Sequence, residues 1–197
     1  MYNAQIVAGS LLLTETRRIT RLKDQLDGQG EEAWHQAVVV ENVLQKKSPA
    51  SALRQARLIR NRLKEAPDCL LSLLSEGSQD MAVQACMAVV IKHSNLLADF
   101  MDHVVREHHR CFEPDLNKQD WVRFLENCGA YAPEVTAWSE STRIKLGQVV
   151  FRTLAEAGYI DNTRSMRLKK VVILPEIQSC MESCGDNKTL RCMLVNS

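Results

Sequence analysis

The chain has 197 residues, of which 45% are hydrophobic and 25% are charged, and this balance is typical of a soluble globular protein. Its 8 glycines and 5 prolines are too few for an all-β sandwich that turns every ten residues, and its sparse aromatic residues favour helices. The net charge of +1 excludes a uniformly basic or acidic protein, but it leaves room for local concentrations of charge.

The first part of the chain contains a succession of helix signals. Ser48 followed by Pro49 is a strong one, because serine caps a helix and proline lacks the N–H group that a first turn leaves unpaired. The apolar stretch from Met81 to Ile91 and the helix after Ser94 are expected to form the buried centre of the fold. The predicted helices span residues 3–13, 14–26, 31–45, 48–65, 67–77, 78–91 and 94–111, with a break at residues 27–30.

The second part of the chain continues this pattern and adds a short extended region. Asn117 can cap a helix to Cys128, and Ser139 or Ser141 opens a long helix that ends at residues 157–158. The remaining predicted elements are extended segments at 159–160 and 167–174, a helix over 175–184 and a loose polar tail from residue 185.

These elements predict an all-α fold, a compact multi-helix globular protein with two helix-turn-helix-like units. The first unit is expected within residues 1–112. The second is expected within residues 113–197, with a small β-hairpin between residues 159 and 174 as its wing. The segment Glu113-Pro114-Asp115 breaks the helical pattern between them. The alternative is one continuous domain, because the long helices can pack across that break.

The sequence also bears on the location of the protein. Residues 1–8 lack the positive charge that opens a secretory signal, and no apolar run reaches the roughly 18 residues of a membrane-spanning helix. The seven cysteines are odd in number and scattered, a pattern that favours free thiols in a reducing compartment. We therefore expect a cytoplasmic protein that has no membrane partner.

Charge is distributed unevenly along the chain. Residues 46–64 contain seven basic and no acidic residues, and residues 143–170 contain seven basic residues against two acidic ones. Between these stretches, residues 65–115 carry nine acidic residues and only three basic ones. A nearly neutral total thus conceals two basic zones around an acidic middle.

The first basic zone lies on a predicted helix that follows a short turn, an arrangement typical of a helix-turn-helix. At 100° per residue, Leu53, Ala56 and Ile59 share one face and the basic residues lie on the adjoining face. Arginine can fork onto guanine, asparagine can pair with adenine and lysine can reach phosphate. The alternative is a solvated helix face, which would usually carry acidic partners four residues away. The candidate DNA contacts here are Lys46, Lys47, Arg54, Arg57, Asn61 and Lys64.

The second basic zone has the pattern of a recognition helix followed by a wing. On the long helix, Leu146, Val150 and Leu154 face inward and a polar stripe faces outward. A basic, β-prone segment follows, and such a wing suits phosphate contacts beside the groove. The alternative is a basic surface hairpin. The candidate DNA contacts here are Lys145, Gln148, Arg152, Arg164, Arg167, Lys169 and Lys170.

Neither zone is accompanied by a catalytic or metal-binding motif. The sequence lacks Gly-x-Ser-x-Gly, phosphate-loop and Gly-x-Gly-x-x-Gly patterns, and its basic zones lack the carboxylate clusters of nucleases. Cys180, Cys184 and Cys192 lack the paired spacing of zinc sites, and His108 and His109 are expected to be ordinary surface residues. We therefore expect a protein that is not an enzyme and that uses no metal or cofactor.

Three segments of the chain resemble the BrxA family. They read YNAQIVAGSLLLTETRRI at residues 2–19, KLGQVVFRTLAEAGYID at residues 145–161 and ILPEI at residues 173–177. The resemblance covers the chain up to about residue 184. It implies an all-helical protein of BREX phage-defence loci, with a fold similar to that of the antitermination factor NusB. It also implies a role beside a DNA methyltransferase, an ATPase and other defence proteins.

The basic zones and the resemblance together predict a double-stranded DNA-binding component of a BREX system, with a monomer as the favoured state. The binding is expected to use mainly phosphate contacts. The main alternative is a protein-interaction subunit whose acidic middle docks a basic partner. NusB-like RNA binding is another alternative, and a nuclease is the least favoured of the four functions.

Overall fold

The structure is a computed structural model that describes residues 1–26 and 29–196. Helices make up 68% of it, which confirms the predicted all-α class. The predicted break at residues 27–30 falls partly on Asp27 and Gly28, which lie outside the described residues. A 3-10 turn at Gln5–Ala8 precedes the helices α1 (Leu13–Gln25), α2 (Gly30–His35), α3 (Pro49–Leu63), α4 (Asp68–Glu76), α5 (Gln79–His93), α6 (Asn95–Phe100) and α7 (Arg106–Arg110).

Two of these helices are extended by wider, π-helical turns. α2 continues through Gln36–Val40, and Met101–Val105 joins α6 to α7, so that residues 95–110 form one continuous helical rod, as the sequence predicts. The second part of the chain forms α8 (Lys118–Gly129), α9 (Pro133–Thr136), α10 (Glu140–Glu156), α11 (Pro175–Ser183) and α12 (Asn187–Met193).

Polar side chains begin several helices at the predicted positions. The Ser48 hydroxyl accepts a hydrogen bond from the Ser51 N–H at 3.3 Å, with Pro49 at the first position of α3. At α8, Asn117 and Asp120 form a reciprocal capping box. A cap of this kind contributes about 1 kcal/mol, and it fixes the residue at which the helix begins.

The hydrophobic core is centred on α5, where residues 85–91 are all buried. Phe100, at the end of α6, extends this core. Its ring packs edge-on against Trp121, Phe124 and Phe151, with ring centroids 5.3, 5.3 and 5.9 Å away. These contacts tie α6 to α8 and α10, and aromatic pairs of this geometry add about 0.5–1.5 kcal/mol each beyond burial. The predicted buried centre is confirmed.

The two predicted parts of the chain pack closely against each other. The Tyr2 N–H donates to the Glu134 carboxylate at 2.7 Å, and α11 and α12 contact α5. One cluster of buried side chains runs through both parts. The proposed boundary between residues 112 and 117 remains a prediction.

The structure differs from the prediction at both ends of the chain. Residues 3–13 do not form a full helix, because the backbone is extended at Gly9 and left-handed at Leu12, with φ of 54°. The tail after Gly185 is not loose. The Asp186 side chain caps α12 through the Thr189 N–H, and Leu190 and other residues of that helix are buried.

Two expectations about cysteine and histidine residues are also corrected. Cys69 of α4 and Cys180 of α11 form a disulfide, because the packing of these helices joins residues 111 positions apart in the sequence. His108 is buried rather than on the surface, and its Nε2 lies 3.4 Å from the carboxylate of Asp120 on α8. The described cysteines that remain free are Cys86, Cys111, Cys128, Cys184 and Cys192.

Within the described residues, no single helix is both long and apolar enough to cross a membrane. α5 and the rod over residues 95–110 reach that length and composition only as a pair, and the two are bent by 106° relative to each other.

Candidate nucleic-acid interface

The first basic zone is a turn and a helix that present polar side chains on one side. Ala56, Ile59 and Leu63 bury the inner side of α3, which packs against α1 and the π-helical turn after α2. The adjoining side is exposed, as the helical periodicity predicts. Five exposed residues of this zone form what we call the first basic face; they are Lys47, Arg54, Arg57, Asn61 and Lys64.

The turn before α3 is longer than the sequence suggests. The preceding helix ends at Val40 rather than near Gln45, so that the turn covers residues 41–48. The Asn42 side chain holds this turn, because it accepts from the Lys46 N–H and donates to the Lys46 carbonyl, both at 2.9 Å. Asn42 and Gln45 both have positive φ, which is incompatible with a continuing helix.

Some basic residues of the first zone are paired with acidic residues of the same chain. Lys46 is half-buried and pairs with Glu15. Arg60 pairs with Glu31, and its guanidinium lies 4.9 Å from the centre of the Trp34 ring. Among the described residues, those of the first basic face that carry charge form no ion pair; they are Lys47, Arg54, Arg57 and Lys64.

The second basic zone is built on α10. Leu146, Val150 and Leu154 are fully buried on its inner side, as predicted. Lys145, Gln148 and Arg152 are exposed on the outer side, and we call these three the second basic face. Whether either face contacts DNA is a separate prediction, which rests on charge and shape.

α8 fixes the orientation of α10 through a close contact. The Trp121 ring lies over Gly147, where an added Cβ atom would be 2.7 Å from the ring. The indole N–H also donates to the Arg143 carbonyl at 2.9 Å. A glycine at position 147 therefore lets the two helices approach closely enough to bury the tryptophan.

A small antiparallel pairing follows α10, and we call residues 159–169 the wing. Ile160 bridges Leu168, while the Lys169 N–H donates to the Tyr159 carbonyl at 2.9 Å. A third segment, just before α8, extends this pairing: Asp115 bridges Arg167, and the Leu168 N–H donates to the Pro114 carbonyl at 2.7 Å. The hairpin agrees with the sequence analysis. The third segment was missed, because its partner lies some fifty residues away.

Two side chains organise the tip of the wing. The Asp161 carboxylate accepts from the N–H groups of Asn162 and Arg167 and from the Ser165 hydroxyl, at 2.7 to 2.9 Å. The Asn162 side chain accepts from the Arg164 N–H at 2.8 Å. Such local bonds are the reason that aspartate and asparagine favour turns, and an Asp-Asn pair before a basic segment is the signal that could have located this tip.

The wing and the segment after it present basic side chains to solvent. Arg164, Lys169 and Lys170 are exposed and form no ion pair with a described residue. Arg167 is also exposed, and its Nε lies 3.6 Å from the Asp115 carboxylate. Lys170 lies near His109, and burial together with the charge of Lys170 lowers the pKa of that histidine.

The two basic zones meet at the carboxyl-terminal ends of their helices. Arg62, near the end of α3, and Glu156, the last residue of α10, both bind backbone or side-chain groups of residues 9–11. The N-terminal segment thus joins the two helices that carry the basic faces.

Two carboxylates of the acidic middle are occupied by internal contacts. The Tyr2 hydroxyl donates to the Asp99 carboxylate at 2.7 Å. Asp102 pairs with Arg106 at 2.9 Å and with Arg191 at 3.0 Å. These carboxylates therefore support the packing of the chain ends on the helical rod.

Comparisons with known proteins agree on one family. The BrxA family model matches residues 1–185. A relative from Paramagnetospirillum magneticum, named BREX protein BrxA, is 43% identical over 99% of this chain and 97% of its own length. A protein of the same name from Escherichia coli O9:H4 is 32% identical over 91% of this chain and 84% of its own length. These names give a system and a component, and none of them gives a reaction.

A solved structure has the same fold. It is the crystal structure of an uncharacterized protein from Magnetospirillum magneticum, with a TM-score of 0.89 and 41% sequence identity over 98% of each chain. The family match extends as far along the chain as the resemblance noted in the sequence. The chain therefore belongs to the BrxA family, whose members are components of BREX phage-defence systems.

Proposed function

We propose that this chain is a non-catalytic double-stranded DNA-binding component of a BREX phage-defence system and that it acts in the cytoplasm beside other BREX proteins. One observation carries the proposal. Each of two exposed basic faces lies on a long helix, α3 or α10, whose opposite side is buried in the core, and the second face is followed by an ordered basic wing. Helical periodicity in the sequence identifies the same faces and supports the proposal.

The binding mode follows from the chemistry of the exposed groups. Lysine and arginine on the two faces and the wing neutralise phosphates, and this contribution is independent of sequence. Asn61 and Gln148 have side-chain amides that can read adenine in the major groove. Because most of the contacts are to phosphate, the protein binds duplex DNA with weak sequence preference and strong dependence on salt.

The two basic faces carry no aromatic ring, and this favours duplex DNA over single-stranded nucleic acid as the ligand. Proteins that bind single strands stack the bases on exposed aromatic rings. Trp34 and Trp121, which pack beneath the helices of the two basic faces, are buried, and among the described residues the exposed ring of Phe112 lies beside Leu168 and Lys170 rather than on either face. The same reasoning counts against NusB-like RNA binding to unpaired bases.

The first experiment is a binding titration of the full chain with duplex DNA, single-stranded DNA and RNA at about 50 and about 200 mM salt. Log affinity falls with log salt by about 0.9 for each neutralised phosphate, so two contacts alone reduce duplex affinity about tenfold over this range. Duplex affinity that does not change with salt contradicts the phosphate-contact proposal. Stronger binding to RNA than to duplex DNA would favour the NusB-like function instead.

The second experiment reverses charge on each face separately. Lys145→Glu with Arg152→Glu tests the second basic face, and Arg57→Glu with Lys64→Glu tests the first. Each pair is expected to weaken duplex binding and to lower the salt slope by about 2, because about 1 is lost per phosphate contact. All four positions are exposed, so circular dichroism should show an intact fold.

A matched control separates local contacts from net charge. Arg123→Glu with Lys188→Glu changes the net charge by the same amount at exposed positions of α8 and α12, outside both faces. It should weaken binding much less than either test pair. If both test pairs fold and bind duplex DNA like the parent, neither face is the DNA surface. The protein-interaction function, tested by capture of the other BREX proteins, then becomes the better proposal.

A further inference from the structure

Three cysteines that are distant in the sequence meet where α4 packs against α11. Their sulfur atoms all lie within 4.8 Å of one another. Cys69 and Cys180 form a disulfide, and the Cys184 sulfur lies 3.6 Å from the sulfur of Cys69. A thiol at this distance is in contact with the disulfide sulfur that it would attack in an exchange reaction. Because all three sulfur atoms lie within 4.8 Å of one another, Cys184 is not in line with the Cys69–Cys180 bond, and its exposed side chain must turn before it attacks.

The three sulfur atoms differ in their access to solvent. Cys180 is buried, Cys69 is half-buried and Cys184 is exposed at the carboxyl-terminal end of α11. Cys180 and Cys184 are four residues apart on one helix, so their side chains lie on the same side of it. The cluster therefore consists of a shielded disulfide with an accessible free thiol beside it.

We propose that this cluster is a thiol–disulfide exchange site in which Cys184 connects the Cys69–Cys180 disulfide to thiols in solution. This inference is independent of the proposed DNA binding. Disulfides of reducing compartments are usually transient and redox-sensing, and redox-sensing cysteines are commonly accessible and adjacent to a second, resolving cysteine.

The first step is internal and needs no external reagent. The Cys184 thiolate attacks the Cys69 sulfur, a Cys69–Cys184 bond forms and the Cys69–Cys180 bond breaks. The electron pair leaves with the Cys180 sulfur, which takes up the proton released by Cys184. The number of disulfides is unchanged, but the bond moves from a buried partner to an exposed one.

The second step couples the site to a small thiol such as glutathione. A glutathione thiolate attacks the exposed Cys184 sulfur and forms a mixed disulfide, and Cys69 leaves as a thiolate and is protonated. A second glutathione attacks the sulfur of the bound one, which releases glutathione disulfide and the Cys184 thiol. Two glutathione thiols are thus oxidised to one disulfide while the protein disulfide is reduced to two thiols, and the reverse sequence oxidises the site.

A metal site accounts for the cluster less well. Structural zinc sites have four ligands. Among the described residues, the cluster of possible metal ligands contains only these three cysteines. Two of the three sulfur atoms are also bonded to each other and are not thiolates.

Full reduction of this site would change how the chain is held together. α4 precedes the helical rod, and α11 follows the wing directly, so the disulfide links the part of the chain that carries the first basic face to the part that carries the second. Moving the bond to Cys184 preserves that link, and reducing it removes the link.

The test follows the reduction of the full chain by glutathione, with quenching and mass mapping of each cysteine. In the parent, glutathione should first appear on Cys184. Cys184→Ser should slow reduction of the Cys69–Cys180 bond by at least about tenfold, because the adjacent nucleophile is lost. Cys180→Ser, oxidised with glutathione disulfide, should trap a Cys69–Cys184 bond.

Cys111→Ser is the matched control, since Cys111 is also an exposed free thiol but lies outside the cluster. It should be reduced at the parent rate. The proposal is overturned if Cys184→Ser is folded and is reduced as fast as the parent, or if Cys180→Ser forms no Cys69–Cys184 bond. Stoichiometric zinc that is retained by the parent and lost in Cys184→Ser would also overturn it.

Discussion

Arg62 and Glu156 bind the same short stretch of backbone from two different helices. The Arg62 guanidinium donates to the carbonyls of Gly9 and Ser10 at 2.8 and 2.7 Å. The Glu156 carboxylate accepts from the Ser10 hydroxyl at 3.0 Å and from the Leu11 N–H at 2.9 Å. Burial lowers the pKa of Arg62 to about 10, so the guanidinium is still charged at neutral pH. The N-terminal segment is thereby fixed between α3 and α10.

Replacing Arg62 with alanine should therefore be strongly destabilising. Arg62→Ala leaves one buried and one partly buried carbonyl group without their charged donor and removes a large, almost fully buried side chain. We expect a loss of about 3 kcal/mol or more in the free energy of unfolding, measured by urea denaturation. Arg54→Ala, on the exposed side of the same helix, should stay within about 0.5 kcal/mol of the parent. Equal effects of the two substitutions would contradict a structural role for Arg62.

The contact between Trp121 and Gly147 gives a second prediction about stability. Gly147→Ala would place a methyl group 2.7 Å from the indole ring, so α8 and α10 must separate or the ring must move. Overpacking of a buried contact costs about 1–3 kcal/mol, although alanine is otherwise the better helix former. We expect a lower free energy of unfolding and a shifted tryptophan fluorescence maximum. Gln148→Ala, at the adjacent exposed position, should change neither; if Gly147→Ala is as stable as the parent, the helices are not closely packed there.

Local signals were sufficient to predict much of the helical framework and the exposed stripes. α3 begins at Ser48 and Pro49 and α8 begins at Asn117, as predicted, since a capping interaction depends only on neighbours within one turn. Helical periodicity likewise placed Lys145 on the outer side of its helix.

Features that depend on distant partners could not be predicted in this way. Arg62 lies in a run of basic residues and resembles its neighbour Arg60, yet it is buried because residues 9–11 offer two carbonyl groups to it. The pairing of Asp115 with Arg167 and the disulfide between Cys69 and Cys180 join segments separated by 52 and 111 positions. No local pattern encodes such pairs, because only the packing of the helices brings them together.

The ion pairs of Asp102 give a prediction about pH. Burial raises the pKa of Asp102, but the hydrogen bond from Arg106 and the charge of Arg191 outweigh it and hold that pKa below its usual value of 3.8. A carboxyl group whose pKa is lower in the folded state stabilises the protein above about pH 3.8, and this stability is lost as the pH falls through the folded pKa. In the same way, the hydrogen bond from Lys92 lowers the pKa of Asp186.

We therefore expect the free energy of unfolding to fall as the pH decreases below about 4. Asp102→Asn should lower stability at pH 7 and reduce the steepness of the acid loss, because one of the titrating groups is gone. Glu126→Gln, at an exposed position of α8, is the control and should leave the pH profile close to that of the parent. Denaturant titrations at several pH values measure both effects. A profile of equal steepness in Asp102→Asn and the parent would show that this carboxylate is not linked to folding.

The wing offers a test in which charge and geometry predict opposite results. Asp161 carries a negative charge beside the basic residues of the wing, so its removal should strengthen DNA binding if only net charge matters. The same carboxylate accepts three hydrogen bonds that order the wing tip, one of them from the backbone N–H of Arg167. If the ordered wing contacts phosphate, Asp161→Ala should weaken binding, because the backbone of the wing tip must then be ordered at the cost of binding free energy.

We expect weaker duplex binding by Asp161→Ala, by about three- to tenfold, with a fold that circular dichroism shows to be unchanged. Glu176→Ala removes the same charge from an exposed position at the start of α11, where no described wing residue depends on it. It should leave affinity unchanged or raise it slightly. Comparing the two variants at the same salt concentration separates the effect of charge from that of wing order. If both variants bind more tightly than the parent, the wing acts only through its charge, and its ordered tip is not part of the DNA-binding surface.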